Sequence, residues 1–257
     1  MPSELNITFW SLLGSFSLVI VAIVISGWLK LGTLKDIVIA SVRMVIQLVI
    51  VGYLLTYLFR LDNAWVTIGI VSVMVLNAAF QASRQGRGLD GAFLISLLAI
   101  GASTVLSLAV LTATRSISFV PSQVISITGM LAGNAMTAVG LCFRNLKSLF
   151  RDNHQAIEER LALGATPLQS AVTIVRESVR LGTQPTIDNT KTIGLVSLPG
   201  MMTGLMFAGT VPTAAIKYQI MVMFMLLATT SITSTVASFL AVREFFTPNA
   251  QLKRFFL

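Results

Sequence analysis

Long runs of apolar residues are the feature that most limits how this chain can fold. A helix that spans a bilayer needs about 20 predominantly apolar residues. Seven such runs occur, at residues 7–29, 37–59, 64–80, 92–113, 123–143, 192–210 and 217–241. Only 11% of the residues are charged, whereas soluble domains average about 25%. The sequence therefore predicts an all-α, polytopic membrane protein with about seven transmembrane helices, organised as a single transmembrane domain over residues 1–257.

The first apolar run is predicted to remain in the protein as a membrane helix. The residues before it include Glu4 but no Lys or Arg. The run is longer than the apolar core of a signal peptide, and no Ala-x-Ala cleavage site follows it. The single cysteine, Cys142, excludes a disulfide within the chain.

Basic residues are distributed unequally between the two sides of the membrane that seven spans define. One side receives 14 of the 18 Lys and Arg residues, and seven of these lie in the long loop 144–191. The other side receives only Arg60, Arg115 and Lys217. Loops rich in Lys and Arg stay in the cytoplasm. The expected topology in the cell membrane thus has the N-terminus outside, and the C-terminus and loop 144–191 in the cytoplasm.

Loop 144–191 contains a predicted helix–turn–helix. The first helix includes "NHQAIEERLAL" and is expected to end at Gly164, which suits the left-handed position after a helix. Thr166 is placed to cap the second helix, with Pro167 at its first position and Gln169 completing a capping box. An apolar line follows at Leu161, Ala165, Leu168, Val172, Val175 and Val179. The segment is therefore predicted to be amphipathic.

Three interpretations of this helix–turn–helix remain open from the residues alone. It lies along the inner leaflet, it binds DNA, or it docks a cytoplasmic protein. DNA binding is disfavoured because the segment is held against a membrane and carries acidic residues at its turn, so we expect no nucleic-acid partner.

The turn resembles the cytoplasmic EAA loop of ABC-transporter permeases. Glu158, Gly164 six residues later and Ile174 ten residues after that match its skeleton, and residues 163–165 keep Leu-Gly-Ala. The segment departs from the motif where Glu159 and Arg160 replace two alanines, and where Arg176 and Glu177 replace Leu-Pro.

Four further segments resemble the FetB family of permease subunits. These are "RMVIQLVIVGYLL" at 43–55, "GNAMTAVGLCFRNL" at 133–146, "KTIGLVSLPGMMTGLMFAG" at 191–209 and "AIKYQIMVMFML" at 215–226. The resemblance covers residues 35–241 and implies a permease of an iron-export ABC transporter, linked to metal homeostasis and oxidative stress. Related plant proteins are associated with aluminium tolerance, and one such pair with a nucleotide sugar, so the family leaves the cargo open.

The resemblance implies a separate cytoplasmic ATPase and a second copy of this chain as partners. No Gly-x-x-x-x-Gly-Lys-Ser/Thr phosphate loop occurs in the sequence, so we expect ATP on the ATPase, no cofactor on this chain, and no enzyme activity of its own. The residues expected to dock the ATPase are Glu158, Leu161, Leu163, Gly164, Ala165, Thr166 and Pro167. A nucleotide-independent channel or carrier and a membrane scaffold are the alternative functions.

Polar residues within the predicted spans are candidates for a translocation path. Arg43 and Gln47 lie one helical turn apart in the second span. Arg43 either snorkels to the headgroups or contacts Asn77 in the third span or an anionic cargo. The spans contain no Asp, Glu or His, which weighs against a hard-cation site or a proton relay.

The fifth and sixth spans supply the remaining candidates. Asn134 follows Gly129-x-x-x-Gly133, a pattern typical of close helix packing, and is otherwise a cargo contact. Pro199 and Gly200 interrupt the sixth span, either as a packing kink or as a gating hinge. Met201 and Met202 follow; methionine is usually core filler, and as a ligand it favours Cu(I) over iron. No metal site is assigned.

Overall fold

The computed structural model of the protein describes residues 9–58 and 63–253. Within them the helices are α1 Phe9–Trp28, α2 Leu34–Leu58, α3 Ala64–Ser83, α4 Ala92–Ala113, α5 Pro121–Asp152, α6 His154–Ala162, α7 Pro167–Thr192, α8 Gly200–Phe207 and α9 Pro212–Ala241. Short 3₁₀ turns follow α3 and α9, at Arg84–Gly86 and Val242–Phe245. Glu4, Arg60 and Arg254, which enter the charge arguments above, lie outside the described residues.

Six of the described helices are long and apolar enough to cross a membrane, namely α1 to α5 and α9. They coincide with six of the seven predicted spans. The prediction of an all-α, multi-span membrane protein is confirmed.

The sixth predicted span, 192–210, is not a continuous helix. Residues 193–199 form a turn, in which Gly194 has φ +85° and its N–H donates to the carbonyl of Ser197 (2.9 Å). Only Gly200–Phe207 is helical, for eight residues. Pro199 has no N–H to donate to a helix, so the chain cannot continue α7 through this point.

The described residues divide into two compact units, residues 9–58 with 207–209, and residues 63–206 with 210–253. In the first unit, α1 packs along α2, and the turn between them is closed by a hydrogen bond between the Ser26 and Thr33 hydroxyls (2.9 Å). Almost all side chains of these two helices are exposed, as expected for helices that face lipid or another protein.

In the second unit, α5 is the central helix and packs against α3, α4, α7 and α9. The C-terminal half of α5 supplies the large buried side chains Phe143, Leu146 and Phe150. The Phe150 ring stacks on Phe245, with centroids 4.1 Å apart. Between α4 and α9, the Thr233 hydroxyl donates to Ser103 (2.6 Å). The last predicted span, 217–241, is rich in Ser and Thr, and this bond shows that at least one of their hydroxyl groups joins two helices.

The second half of α7 packs along α5 and α9, although the sequence placed these residues in loop 144–191. Helix α7 runs antiparallel to α5 and α9: the Ser178 hydroxyl donates to the Cys142 carbonyl (3.0 Å), while Asn189 lines one small cavity together with Asn134 of α5 and Met223 of α9. Asn134 precedes Cys142 by eight residues in α5, which is about 12 Å along the helix. The end of α7 therefore lies beside the middle of two membrane-spanning helices.

Helix α7, the turn at 193–199 and α8 together replace the single predicted sixth span. The chain passes from the end that carries α6, which we call the loop end, to Pro212 at the start of α9. The second unit starts with α3 at the end opposite the loop end and has four continuous spanning helices, α3, α4, α5 and α9. The interrupted crossing adds a fifth passage, and the chain therefore finishes at the loop end after α9.

Candidate functional site

The turn between α6 and α7 is fixed by hydrogen bonds at both helix ends. Gly164 has φ +91°. Its N–H donates to the carbonyl of Leu161 (3.0 Å), and the N–H of Ala165 donates to the carbonyl of Arg160 (3.0 Å). These two bonds form the Schellman motif that ends helices at a left-handed glycine. On the other side, Thr166 and Gln169 form the predicted capping box, with Pro167 in the first turn. The helix–turn–helix geometry is confirmed.

Arg160 and Ile157 attach α6 to the rest of the second unit. The Arg160 guanidinium donates to the carbonyl of Ser170 (2.9 Å) and to the Thr173 hydroxyl (3.3 Å), both in α7. Ile157 is 1% exposed and belongs to the core around α5. The turn is therefore held at a fixed angle rather than hanging from a flexible loop.

The predicted docking residues differ in how far they are available to a partner. Leu163 is 88% exposed, and Glu158, Gly164 and Thr166 are also exposed. Leu161 instead packs against the core of its own chain. An exposed leucine at the tip of a rigid turn is the anchor that a partner protein can bury.

Basic residues surround this turn. Of the described Lys and Arg residues of the second unit, nine lie at the loop end: Arg84, Arg87, Arg144, Lys147, Arg151, Arg160, Arg176, Arg243 and Lys253. Several are tied to neighbouring elements: Arg144 donates to Gln85, Lys147 to the carbonyl of Arg87, and Lys253 forms an ion pair with Asp90 (3.1 Å). Only Arg115 and Lys217 lie at the opposite end.

A small polar cavity lies where α5, α7 and α9 meet. Its volume is about 200 Å³. The lining residues are Asn134, Thr137, Ala138, Leu141, Gly182, Pro185, Thr186, Asn189, Met223 and Leu226. The Asn134 amide donates to the Met130 carbonyl (2.8 Å), which leaves its oxygen available. Of the predicted path residues, Asn134 is thus the one that lines this cavity, together with Thr186 and Asn189, which the sequence assigned to the cytoplasmic loop.

The other predicted path residues lie elsewhere. Arg43 and Gln47 line one shallow, mostly apolar surface pocket of α2 in the first unit. Asn77 is exposed on α3 in the second unit. Pro199 and Gly200 lie at the start of α8, where the Pro199 carbonyl accepts from the N–H of Thr203 (3.1 Å).

The predicted methionines and the glycine pair of α5 pack to different extents in the structure. Met201 packs against an apolar cluster with Met223 and Met225, and Met202 is half-buried. Of the two glycines in Gly129-x-x-x-Gly133, Gly129 is closely approached by α3, since a Cβ there would lie 3.3 Å from the Met74 side chain, whereas a Cβ at Gly133 would meet nothing within 4 Å.

The sequence did not predict that Thr186 and Asn189 of α7 line the cavity, because a hydropathy pattern assigns a charged helix to water. A face of small residues at Ala171, Ser178 and Gly182 is the signal that could have located this helix in the membrane. Within residues 9–58 and 63–253, no three His, Cys, Asp or Glu side chains are grouped closely enough to hold a metal ion.

The fold and these sites define a multi-pass helical membrane protein with one interrupted crossing and a rigid, exposed turn at its basic end. The chain belongs to the family described as "Uncharacterised protein family (UPF0014)", whose model matches residues 9–246. It is 49% identical to the "Probable iron export permease protein FetB" of Escherichia coli, over 96% of this chain and 95% of that one.

Plant relatives are more distant. The chain is 35% identical to "UPF0014 membrane protein STAR2" of Oryza sativa, over 92% of this chain and 83% of the relative. It is 32% identical to "Protein ALUMINUM SENSITIVE 3" of Arabidopsis thaliana, over 91% and 86% of the two chains. No solved structure matches the chain significantly.

Proposed function

We propose that this protein is the transmembrane subunit of an ABC transporter that exports iron or an iron complex. A separate cytoplasmic ATPase binds ATP and grips the α6–α7 turn, and two copies of the chain form the membrane part of the transporter. The name of the E. coli relative supports the cargo, and the unequal charge at the two ends of the second unit supports a cytoplasmic loop end.

The observation that carries this proposal is the α6–α7 turn. It combines the Glu158, Gly164 and Ile174 spacing with a conformation fixed by the Schellman motif and the capping box. Leu163 projects from it and is 88% exposed. A turn of this kind transmits movement because both of its helices are anchored, α6 through Ile157 and α7 along α5 and α9.

Coupling is tested by co-expressing this chain with its candidate ATPase and measuring co-purification and ATP-dependent iron transport in liposomes. Gly164→Val strains the left-handed backbone by about 1–2 kcal/mol and changes the angle between α6 and α7. Leu163→Asp removes the apolar anchor without touching the core. Both variants are expected to insert normally and to lose co-purification by tenfold or more.

Gly32→Val is the matched control. Gly32 also has a positive φ, +73°, with nothing within 4 Å of its Cβ position, but it lies in the α1–α2 turn. It is expected to retain the ATPase. Wild-type binding by both α6–α7 variants would contradict the proposal, and ATP-independent transport by the purified chain alone would favour the carrier alternative.

A further inference from the structure

The second half of α7 carries a charged face on the side opposite its packing face. Residues 180, 184, 188 and 191 are spaced four, four and three apart, so they share one face of the helix. They are Arg180, Gln184, Asp188 and Lys191. The packing face, with Ser178 and Gly182, is buried against α5 and α9.

These charged side chains are exposed although they lie along membrane-spanning helices. The exposed fractions are 73% for the Arg180 side chain, 56% for Asp188 and 67% for Lys191. Asp188 directly precedes Asn189, which lines the same cavity as Asn134, and Asn134 lies 13 residues, or about 20 Å, from the start of α5 at Pro121. Asp188 is therefore close to the middle of the membrane.

Asp188 has two partners on its own helix, but they leave its carboxylate exposed. Its Oδ1 accepts a hydrogen bond from Gln184 (2.8 Å) and lies 3.4 Å from the Lys191 ammonium. An ion pair this exposed still requires solvation, and a charged side chain in the hydrocarbon faces protein or water rather than lipid. Among the described acidic residues of the second unit, Asp188 alone is placed away from both ends.

We infer that the charged face of α7, from Arg180 to Lys191, lines a water-filled passage at the depth of the membrane, and that the Asp188 carboxylate contacts the cargo there. A cation in the passage replaces the Lys191 ammonium as the partner of Asp188, which requires only a rotation of the exposed lysine side chain. The passage itself follows from α7 alone, whereas the cargo contact rests on the proposed transport function.

Cysteine accessibility tests the passage without requiring transport. In a Cys142→Ala background, Gln184→Cys and Asp188→Cys are treated with a charged, membrane-impermeant methanethiosulfonate reagent in membranes open to both sides. Phe224→Cys is the matched control, because Phe224 is 70% exposed at the same depth, next to Met223, on an apolar surface. Both α7 positions are expected to react at least tenfold faster than position 224.

Two outcomes would overturn the passage. If Gln184→Cys and Asp188→Cys react as slowly as Phe224→Cys, this face is covered by protein or lipid. If Phe224→Cys reacts as fast as they do, this part of α7 and α9 is not in the hydrocarbon.

The cargo contact is tested by Asp188→Asn, which preserves the side-chain shape. With the ATPase present, we expect at least tenfold slower transport of ferrous ion, unchanged co-purification and unchanged labelling of Gln184→Cys. Glu177→Gln, an acidic residue of α7 at the loop end, is the control and is expected to transport normally. Normal transport by Asp188→Asn would refute the contact. Absence of transport by the wild type would count against the proposed function, while the labelling result would still decide the passage.

Discussion

Gly182 allows α7 to approach α5 and α9 more closely than any other residue would. A Cβ at this position would collide with the Sγ of Cys142, and would lie 3.0 Å from the Ser234 hydroxyl and 3.3 Å from the Ala138 carbonyl. Three helices therefore meet at one point where only hydrogen fits.

We expect Gly182→Ala to destabilise the protein by about 1–3 kcal/mol, the usual cost of overpacking, measured as a lower melting temperature in detergent. Gly133→Ala is the matched control, because Gly133 lies in α5 with nothing within 4 Å of its Cβ position, and it should be neutral or slightly stabilising.

A rescue experiment identifies the colliding atom. Cys142→Ala removes the Sγ that the new methyl group meets, so the Gly182→Ala/Cys142→Ala pair should be less destabilised than the sum of the two single changes. Additive effects would mean that another contact limits the approach of α7.

At the level of the elements, local chemistry was readable from the sequence and the position of α7 was not. Thr166, Gln169 and Gly164 form their predicted caps because such bonds involve only neighbouring residues. The position of α7 depends instead on the surfaces of α5 and α9, which are distant in sequence. Charges such as Arg176 and Asp188 lower the hydropathy of α7, so its face of small residues, which includes Ser178 and Gly182, is the one sequence signal that it packs beside α5 and α9.

Pro185 interrupts the hydrogen bonding of α7 beside the polar cavity. It lies inside the helix and lacks the N–H that would donate to the Leu181 carbonyl, a defect that costs roughly 3 kcal/mol in a helix interior. We therefore expect Pro185→Ala to raise the melting temperature while reshaping the cavity and slowing transport.

Pro167→Ala is the comparison for this change, because Pro167 lies in the first turn of the same helix, where no backbone donor is needed. Its effect on stability should stay within about 0.5 kcal/mol. A lower melting temperature for Pro185→Ala would show that the packing of α7 requires the proline.

At the scale of the whole molecule, the orientation in the membrane is open to a direct test. Cys142 itself cannot report on it, because its side chain is 0% exposed and a reagent reaches it from neither side. In a Cys142→Ala background, Ser118→Cys should react with an impermeant maleimide in intact cells. Gln155→Cys should react only after permeabilisation. Both native side chains are exposed, so the reverse pattern would place α6 on the outer surface and exclude its contact with a cytoplasmic ATPase.

The interrupted crossing also has a consequence for biogenesis. A translocon releases segments into lipid according to their hydrophobicity, and each central Asp, Lys or Arg disfavours release by about 2.5–3.5 kcal/mol. With Arg180, Asp188 and Lys191 in its second half, α7 should not enter the bilayer while it is the last segment synthesised. Its place beside α5 becomes available only once α9 has emerged and provides the other wall. This crossing is therefore completed only after α9 has been synthesised, by assembly of the helices rather than by stepwise insertion.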